Sequence, residues 1–122
     1  MNLKEFGKKG EKLALKFLKK NKYKIIEKNF SSKFGEIDII AKDKDTLAFI
    51  EVKTRKEQEF FTPLDSINFN KKMHIIKTAQ DFINKHKINI PCRFDILSIV
   101  VRNDKPHFEL IKNAFEITGK IR

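Results

Sequence analysis

The chain has 122 residues, with Lys plus Arg 27 against Asp plus Glu 16 and a formal net charge of +11. That length suits one domain over 1–122 with a single core, and a surplus that large on a small chain favours a polyanionic partner, nucleic acid before an anionic membrane surface. The one cysteine, Cys92, excludes an internal disulfide and a Cys-cluster zinc site and fits a reducing cytoplasm, and no apolar run is long enough to span a bilayer.

Leu3, Phe6, Gly10, Leu13, Ala14, Phe17 and Leu18 recur at three- and four-residue spacing. They predict an amphipathic helix over 2–20 with lysines outward. Tyr23 to Phe30 reads as a short strand, and Ser31-Ser32-Lys33 as a turn. Gly35 to Lys42 and Thr46 to Arg55 are the two strongest strands, joined by a linker short enough for a hairpin. After a charged and aromatic loop, Pro63 suits the first turn of a helix, and Lys71 to His86 carries Met73, Ile76, Ala79 and Ile83 on one side. Arg93 to Val101 and His107 to Ile111 are two more strands around the turn Asn103–Pro106. Asn113 to Arg122 reads as a tail with Phe115 and Ile117 packed. The order α-β-β-β-α-β-β predicts one α/β domain, a mixed sheet flanked by helices. Cys92, beside an apolar run, is expected to be a buried small hydrophobe.

Asp38, Glu51 and Lys53 lie inside the two apolar runs GEIDIIA and LAFIEVKTR. An unpaired buried charge costs several kcal/mol or more, so these three require a reason. Two carboxylates can hold a hard cation such as Mg²⁺, and a neighbouring lysine can serve a phosphate and its attacking water. Side chains alternate on a strand, so Glu51 and Lys53 share a face. With Lys44-Asp45 as the hairpin loop, Asp38 stands opposite Glu51 and Glu36 opposite Lys53. With Asp43-Lys44, Asp38 is diagonal to Glu51. A register placing Asp38 opposite Ile50 would separate them. The ordinary alternative is a cross-strand ion pair of Lys53 with Asp38 or Glu36. Glu11 falls at the edge of the first helix's apolar stripe beside Gly7 and Ala14, where small neighbours leave room for a metal or a backbone.

The order Asp38, then Glu51-Val52-Lys53, resembles the PD-(D/E)xK nuclease signature. GEKLALKFLKKNKYKIIEKNF, GEIDIIA, FIEVKTR, CRFDILSIV and NAF resemble successive blocks of the YraN family, small bacterial proteins with a restriction-endonuclease-like fold. The layout is also similar to archaeal Holliday junction resolvases. The resemblance implies a restriction-endonuclease-like core and a Mg²⁺-dependent (or Mn²⁺-dependent) DNA endonuclease acting on branched or structured DNA. It places Glu11, Asp38, Glu51 and Lys53 at the catalytic positions, with Glu11, Asp38, Glu51 and the Val52 carbonyl as metal ligands. The alternative is a non-catalytic nucleic-acid-binding or adaptor module on the same fold. The family's arginine after the Asn of its first strand block is missing, since Asn29 is followed by Phe30, Ser31 and Ser32, and Lys33 would stand in for it. Arg55, Lys56, Lys71 and Lys72 would form a rim contacting phosphates. A homodimer would suit paired cuts on a junction. Arg93 and Asp95 share a strand face and are expected to form an ion pair. His74, His86 and His107 lack metal-ligand spacing.

Overall fold

The computed structural model describes residues 3–57 and 67–115. Helix α1 (Leu3–Lys20) is followed by three strands, β1 (Lys24–Ser32), β2 (Gly35–Asp43) and β3 (Thr46–Lys56), then by helix α2 (Phe69–His86) and strands β4 (Cys92–Arg102) and β5 (Lys105–Phe115). The five strands form one sheet in sequential order. β3 and β4 are parallel and every other neighbouring pair is antiparallel. A parallel pair needs a crossover, and α2 supplies it. The result is the mixed α/β sheet expected from the element order.

Each helix covers one face. Ala14 and Leu18 of α1 pack with Tyr23, Ile39, Ala41, Ile50, Leu97 and Ile99. On the other face Ile75, Ile76, Ala79 and Phe82 of α2 meet Ile37, Ile40, Phe49, Phe94 and Ile96. Phe49, Phe94 and Phe115 stack in series, with ring centroids 5.6 and 4.9 Å apart. Each such buried ring contributes on the order of 2–3 kcal/mol.

Both helices end by the same device. The amide of Tyr23 reaches the Leu18 carbonyl at 2.9 Å, and Lys22 takes the left-handed conformation with φ 69°. Ile88 repeats this on Ile83 after Lys87, φ 52°. These are left-handed C-caps closed by an apolar contact, made here by lysines in place of glycine. Gly10 has a packing reason: an added Cβ would run into the Thr54 side chain, so α1 crosses β3 at close range there.

Several expectations are corrected. Helix α2 begins at Phe69, two residues before Lys71, because the Asn68 side chain accepts from the Lys71 amide and caps it. Strand β5 spans Lys105–Phe115, much longer than His107 to Ile111. Asn113, φ 53°, lies in a bulge between the Phe94 and Ile96 pairings, where four residues of β5 span two of β4, and Phe115 returns to the α2 face that Ile111 packs on. Phe115 is therefore strand and not tail, and it is buried as expected. Cys92 is exposed, at the first position of β4, and is not a core residue. Pro63 and Ile117 lie outside the described residues.

Candidate functional site

The β2–β3 register is Ile39↔Ile50 and Asp43↔Thr46, so the hairpin loop is Lys44-Asp45. Counting on by one step puts Asp38 opposite Glu51, and the register that would separate them is excluded. The regular backbone ladder stops at Ile39 and Ile50, and beyond it the Val52 amide donates to Asp38 Oδ2 at 2.8 Å. A side chain has taken the place of a ladder carbonyl.

The other side of β2 is interrupted at the same residue. Pairing with β1 runs through Lys28↔Ile39 and resumes at Phe30↔Ile37, so Asn29 and Asp38 face each other unpaired. Asn29 adopts φ 54°, a conformation Asn tolerates better than most residues. Ile37 packs on the α2 face while Ile39 and Ala41 pack on the α1 face. Residues two apart on a regular strand would share a face, so the alternation breaks at Asp38. That break frees its carboxyl from both ladders.

Asp38 and Glu51 meet. Glu51 is buried at 8 % exposure and Asp38 is half-buried. Burial raises the Asp38 carboxyl to about 8, and its hydrogen bond to the Glu51 carboxyl and the Glu51 charge push the same way. The Val52 amide and the Lys71 charge oppose the rise. Two carboxyls this close repel when both are ionised, which favours the protonated form of Asp38. Glu51 Oε2 is buried with no hydrogen-bond partner among the described residues. Lys71 Nζ lies 3.4 Å from that oxygen, close enough for attraction but not aligned for a hydrogen bond. An orphaned carboxylate oxygen beside a proton-holding carboxyl is a configuration that a bound cation would relieve.

The open side of Asp38 is a groove of about 380 Å³ lined by Phe6, Gly7, Glu11, Val52, Lys53 and Thr54. It brings three of the four expected catalytic residues, Glu11, Asp38 and Lys53, to one surface, with Glu51 behind Asp38. Glu11 Oε1 accepts from the Asn29 side chain at 3.0 Å. Among the described residues no three of His, Cys, Asp and Glu cluster as a metal-binding set, so the pair Asp38–Glu51 stands without Glu11 as an immediate neighbour. Lys53 makes no ion pair with Glu36, Asp38 or Glu51. Glu36 is exposed and accepts from Ser31 instead. The cation that reaches Glu51 comes from α2.

The five expected phosphate contacts divide. Lys71 stands over Glu51. Lys56 is exposed with its ammonium 5.8 Å from the Phe6 ring centroid, Lys72 lies over Phe115, and Lys33 over Phe34 in the β1–β2 turn. Arg55 is buried at 6 % exposure and is not a rim residue. The part that Asn29 plays at the site was missed although it carried a usable signal, an Asn inside a strand pattern. Lys71 was expected only as a phosphate contact, and its reach to Glu51 left no sequence signal because it exists only after the crossover.

The expected Arg93–Asp95 pair is present, with Nε–Oδ1 and Nη2–Oδ2 both at 2.8 Å. Arg93 also donates to Asp43 and to the Tyr23 hydroxyl, each at 3.1 Å. These bonds hold the guanidinium in its charged form, and the Arg93 charge keeps Asp43 low together with Lys112. The network ties β1, β2 and β4 together at the hairpin end of the sheet. His86 packs its ring on Phe82. No described helix is long and apolar enough to cross a membrane.

The chain was compared with known proteins. A family model described as "Uncharacterised protein family UPF0102" matches residues 10–99. The UPF0102 protein of Caldicellulosiruptor bescii is 46 % identical over 119 residues, covering 94 % of this chain and 100 % of the relative. That of Thermodesulfovibrio yellowstonii is 48 % identical over 111 residues, covering 91 % and 96 %. One from Clostridium botulinum is 45 % identical over 118 residues, covering 93 % and 96 %. The family match takes in Glu11, the β1–β2 break, the Asp38–Glu51 pair, Lys53 and Lys71, and the full-length relatives extend it across the sheet: the chain belongs to the UPF0102 family.

Proposed function

We propose that this protein is a metal-dependent endodeoxyribonuclease that hydrolyses phosphodiester bonds in branched or otherwise structured DNA, with Mg²⁺ or Mn²⁺ held by Asp38 and Glu51. The observation that carries the reading is the Asp38–Glu51 carboxyl pair, whose buried Glu51 Oε2 has no hydrogen-bond partner among the described residues. A divalent cation there would supply the missing positive charge, neutralise charge developing on the phosphate and lower the pKa of a bound water.

The chain's own residues do the rest. The Val52 amide fixes the Asp38 carboxyl, and the Val52 carbonyl would be a further ligand. Asn29 orients Glu11 on the wall of the groove, from which it would supply another oxygen to the metal. Lys53, free of carboxylate partners at the site, orients the attacking water or stabilises the transition state. Lys33, Lys56 and Lys72 follow the backbone as point charges, reading shape more than sequence.

A second reading, a nucleic-acid-binding module that keeps the architecture without cleavage, draws on one observation. Glu11 is tied to Asn29, and the described residues hold no three-acid cluster. A cleavage assay on duplex, single-stranded, flap and four-way-junction DNA with Mg²⁺ or Mn²⁺ separates the two. Cutting by the wild type that disappears in Asp38→Asn supports the nuclease. Binding without cutting on every substrate supports the module.

A further inference from the structure

Two glycines of α1 face the sheet end, and only one is explained by packing. Gly10 is required by Thr54, whereas an added Cβ at Gly7 would meet nothing within 4 Å. A glycine inside a helix costs about 1 kcal/mol relative to alanine, and no packing contact among the described residues accounts for that cost at Gly7. Gly7 lines the groove that holds Asp38, Glu11 and Lys53. That groove shares Phe6 and Thr54 with a second one, of about 480 Å³, which runs to the β4–β5 turn. Its apolar lining is Phe6, Leu13, Val101 and Pro106. Lys9 and Lys56 stand on its rim, and Asn103, Asp104 and Glu57 give it polar edges.

We infer that this second groove receives an unpaired nucleobase of the substrate strand, the sugar–phosphate backbone passing over Gly7 from the phosphate at Asp38. An apolar, aromatic-walled hollow beside lysines is the arrangement that holds a base while its phosphates stay on the cationic side. The carboxylates of Glu57 and Asp104 repel phosphate but accept from exocyclic amines, so they orient the base edge and not the backbone. A paired base cannot enter such a hollow without leaving its stack, so the substrate class is DNA with an unpaired nucleotide next to the cut. The nuclease reading enters this inference only through the location of the phosphate.

The test compares oligodeoxycytidylate, whose bases carry an exocyclic amine, with an abasic deoxyribose–phosphate chain of the same length, bound in EDTA at neutral pH and measured by competition polarisation. Both carry the same phosphates, so the diffuse electrostatic attraction cancels in the ratio. The wild type should prefer the base-bearing chain by roughly fivefold, the low end of what stacking on an aromatic side chain contributes. Phe6→Ala should bring the ratio toward one while affinity for the abasic chain is kept. Gly7→Leu, which obstructs the backbone's path into the hollow, should also bring the ratio toward one, and should melt at or above the wild-type temperature. Equal binding of the two chains by the wild type, or a ratio untouched by both variants, overturns the inference. So does a Gly7→Leu protein that unfolds below the wild type, since the space over Gly7 would then not be open. A preserved ratio without cleavage on any DNA would sink the nuclease reading and leave the base pocket standing. Cleavage with a ratio of one would do the reverse.

Discussion

Without bound metal, the protein should lose stability as pH rises, and Asp38 should be the cause. Its carboxyl titrates at about 8 in the fold against an ordinary value of 3.8. The sign follows from the direction of the shift. Below pH 3.8 the group is protonated in both the folded and unfolded chains. Between there and pH 8 only the folded chain keeps the proton, so each step upward favours the unfolded state. At about 1.4 kcal/mol per pH unit, an interval of roughly four units sets a ceiling of about 6 kcal/mol. Asp38 is only half-buried, so solvent screening reduces this to about 2 kcal/mol. For a domain of this size that is roughly 8 °C in melting temperature between pH 5 and pH 9. The +11 net charge falls over the same range and adds its own trend, so the quantity to read is wild type minus Asp38→Asn. The substitution keeps an oxygen for the Val52 amide and removes the titration. Saturating Mg²⁺ should raise the melting temperature more at pH 8 than at pH 5, because the cation and the proton compete for the same oxygens. Parallel melting curves for the two proteins across pH would refute the raised Asp38 carboxyl.

Lys53→Ala should slow single-turnover cleavage by roughly 10²–10³-fold while DNA affinity stays near the wild-type value, since one lysine adds little to diffuse attraction but stabilises charge formed in the transition state. A variant that still cuts at the wild-type rate would remove Lys53 from the chemistry. Affinity for duplex DNA should fall with salt at a log–log slope of about −0.9 per phosphate neutralised, and a flat response would contradict the electrostatic reading of the charge. Gly10→Ala should destabilise by about 1–3 kcal/mol in urea melts, and Thr54→Ala in the same chain should restore most of it. Asp95→Ala should cost about 3 kcal/mol, because Asp95 is 1 % exposed and its loss removes the two-bond anchor of the Arg93 guanidinium and the acceptor of the Asn113 amide.

The sequence carried the elements well where one periodicity ran unbroken. The Leu13–Leu18 stripe of α1, the two runs around Asp38 and Glu51, and the apolar β4 all read correctly because burial alone determined them. It carried the β2–β3 register only as alternatives, since Asp43-Lys44 and Lys44-Asp45 are both acceptable two-residue turns. What it missed has a physical pattern. The end of β5 was lost because the polar residues Lys112 and Asn113 of the bulge interrupt the apolar pattern before Phe115 rejoins the α2 face. Cys92 was misplaced because its neighbours are apolar while the position itself opens the strand. The break at Asp38 was invisible for a different reason. Two neighbouring strands must interrupt together, with Asn29 in a left-handed conformation, before a charged side chain can replace a ladder carbonyl.

The placement of the site at one end of the sheet follows from chain direction. β3 and β4 are parallel, so α2 must carry the chain back between them. Its first turn therefore lies near the carboxyl ends of both strands, where open α/β sheets offer a crevice. That first turn holds no acidic residue and includes Lys71. A cation is unfavourable at the positive end of a helix, so Lys71 needs an outside anion, and Glu51 is the one within reach. The same geometry brings the β1–β2 break to Asp38 from one side and the β4–β5 turn, with Asn103 and Pro106, from the other. The carboxyl pair, the lysine above it, the groove over Gly7 and the hollow beside Phe6 thus converge because one parallel pair sits inside an otherwise antiparallel sheet. A chain that connected β3 to β4 by a hairpin would keep Asp38 opposite Glu51 but would deliver neither Lys71 nor the second groove.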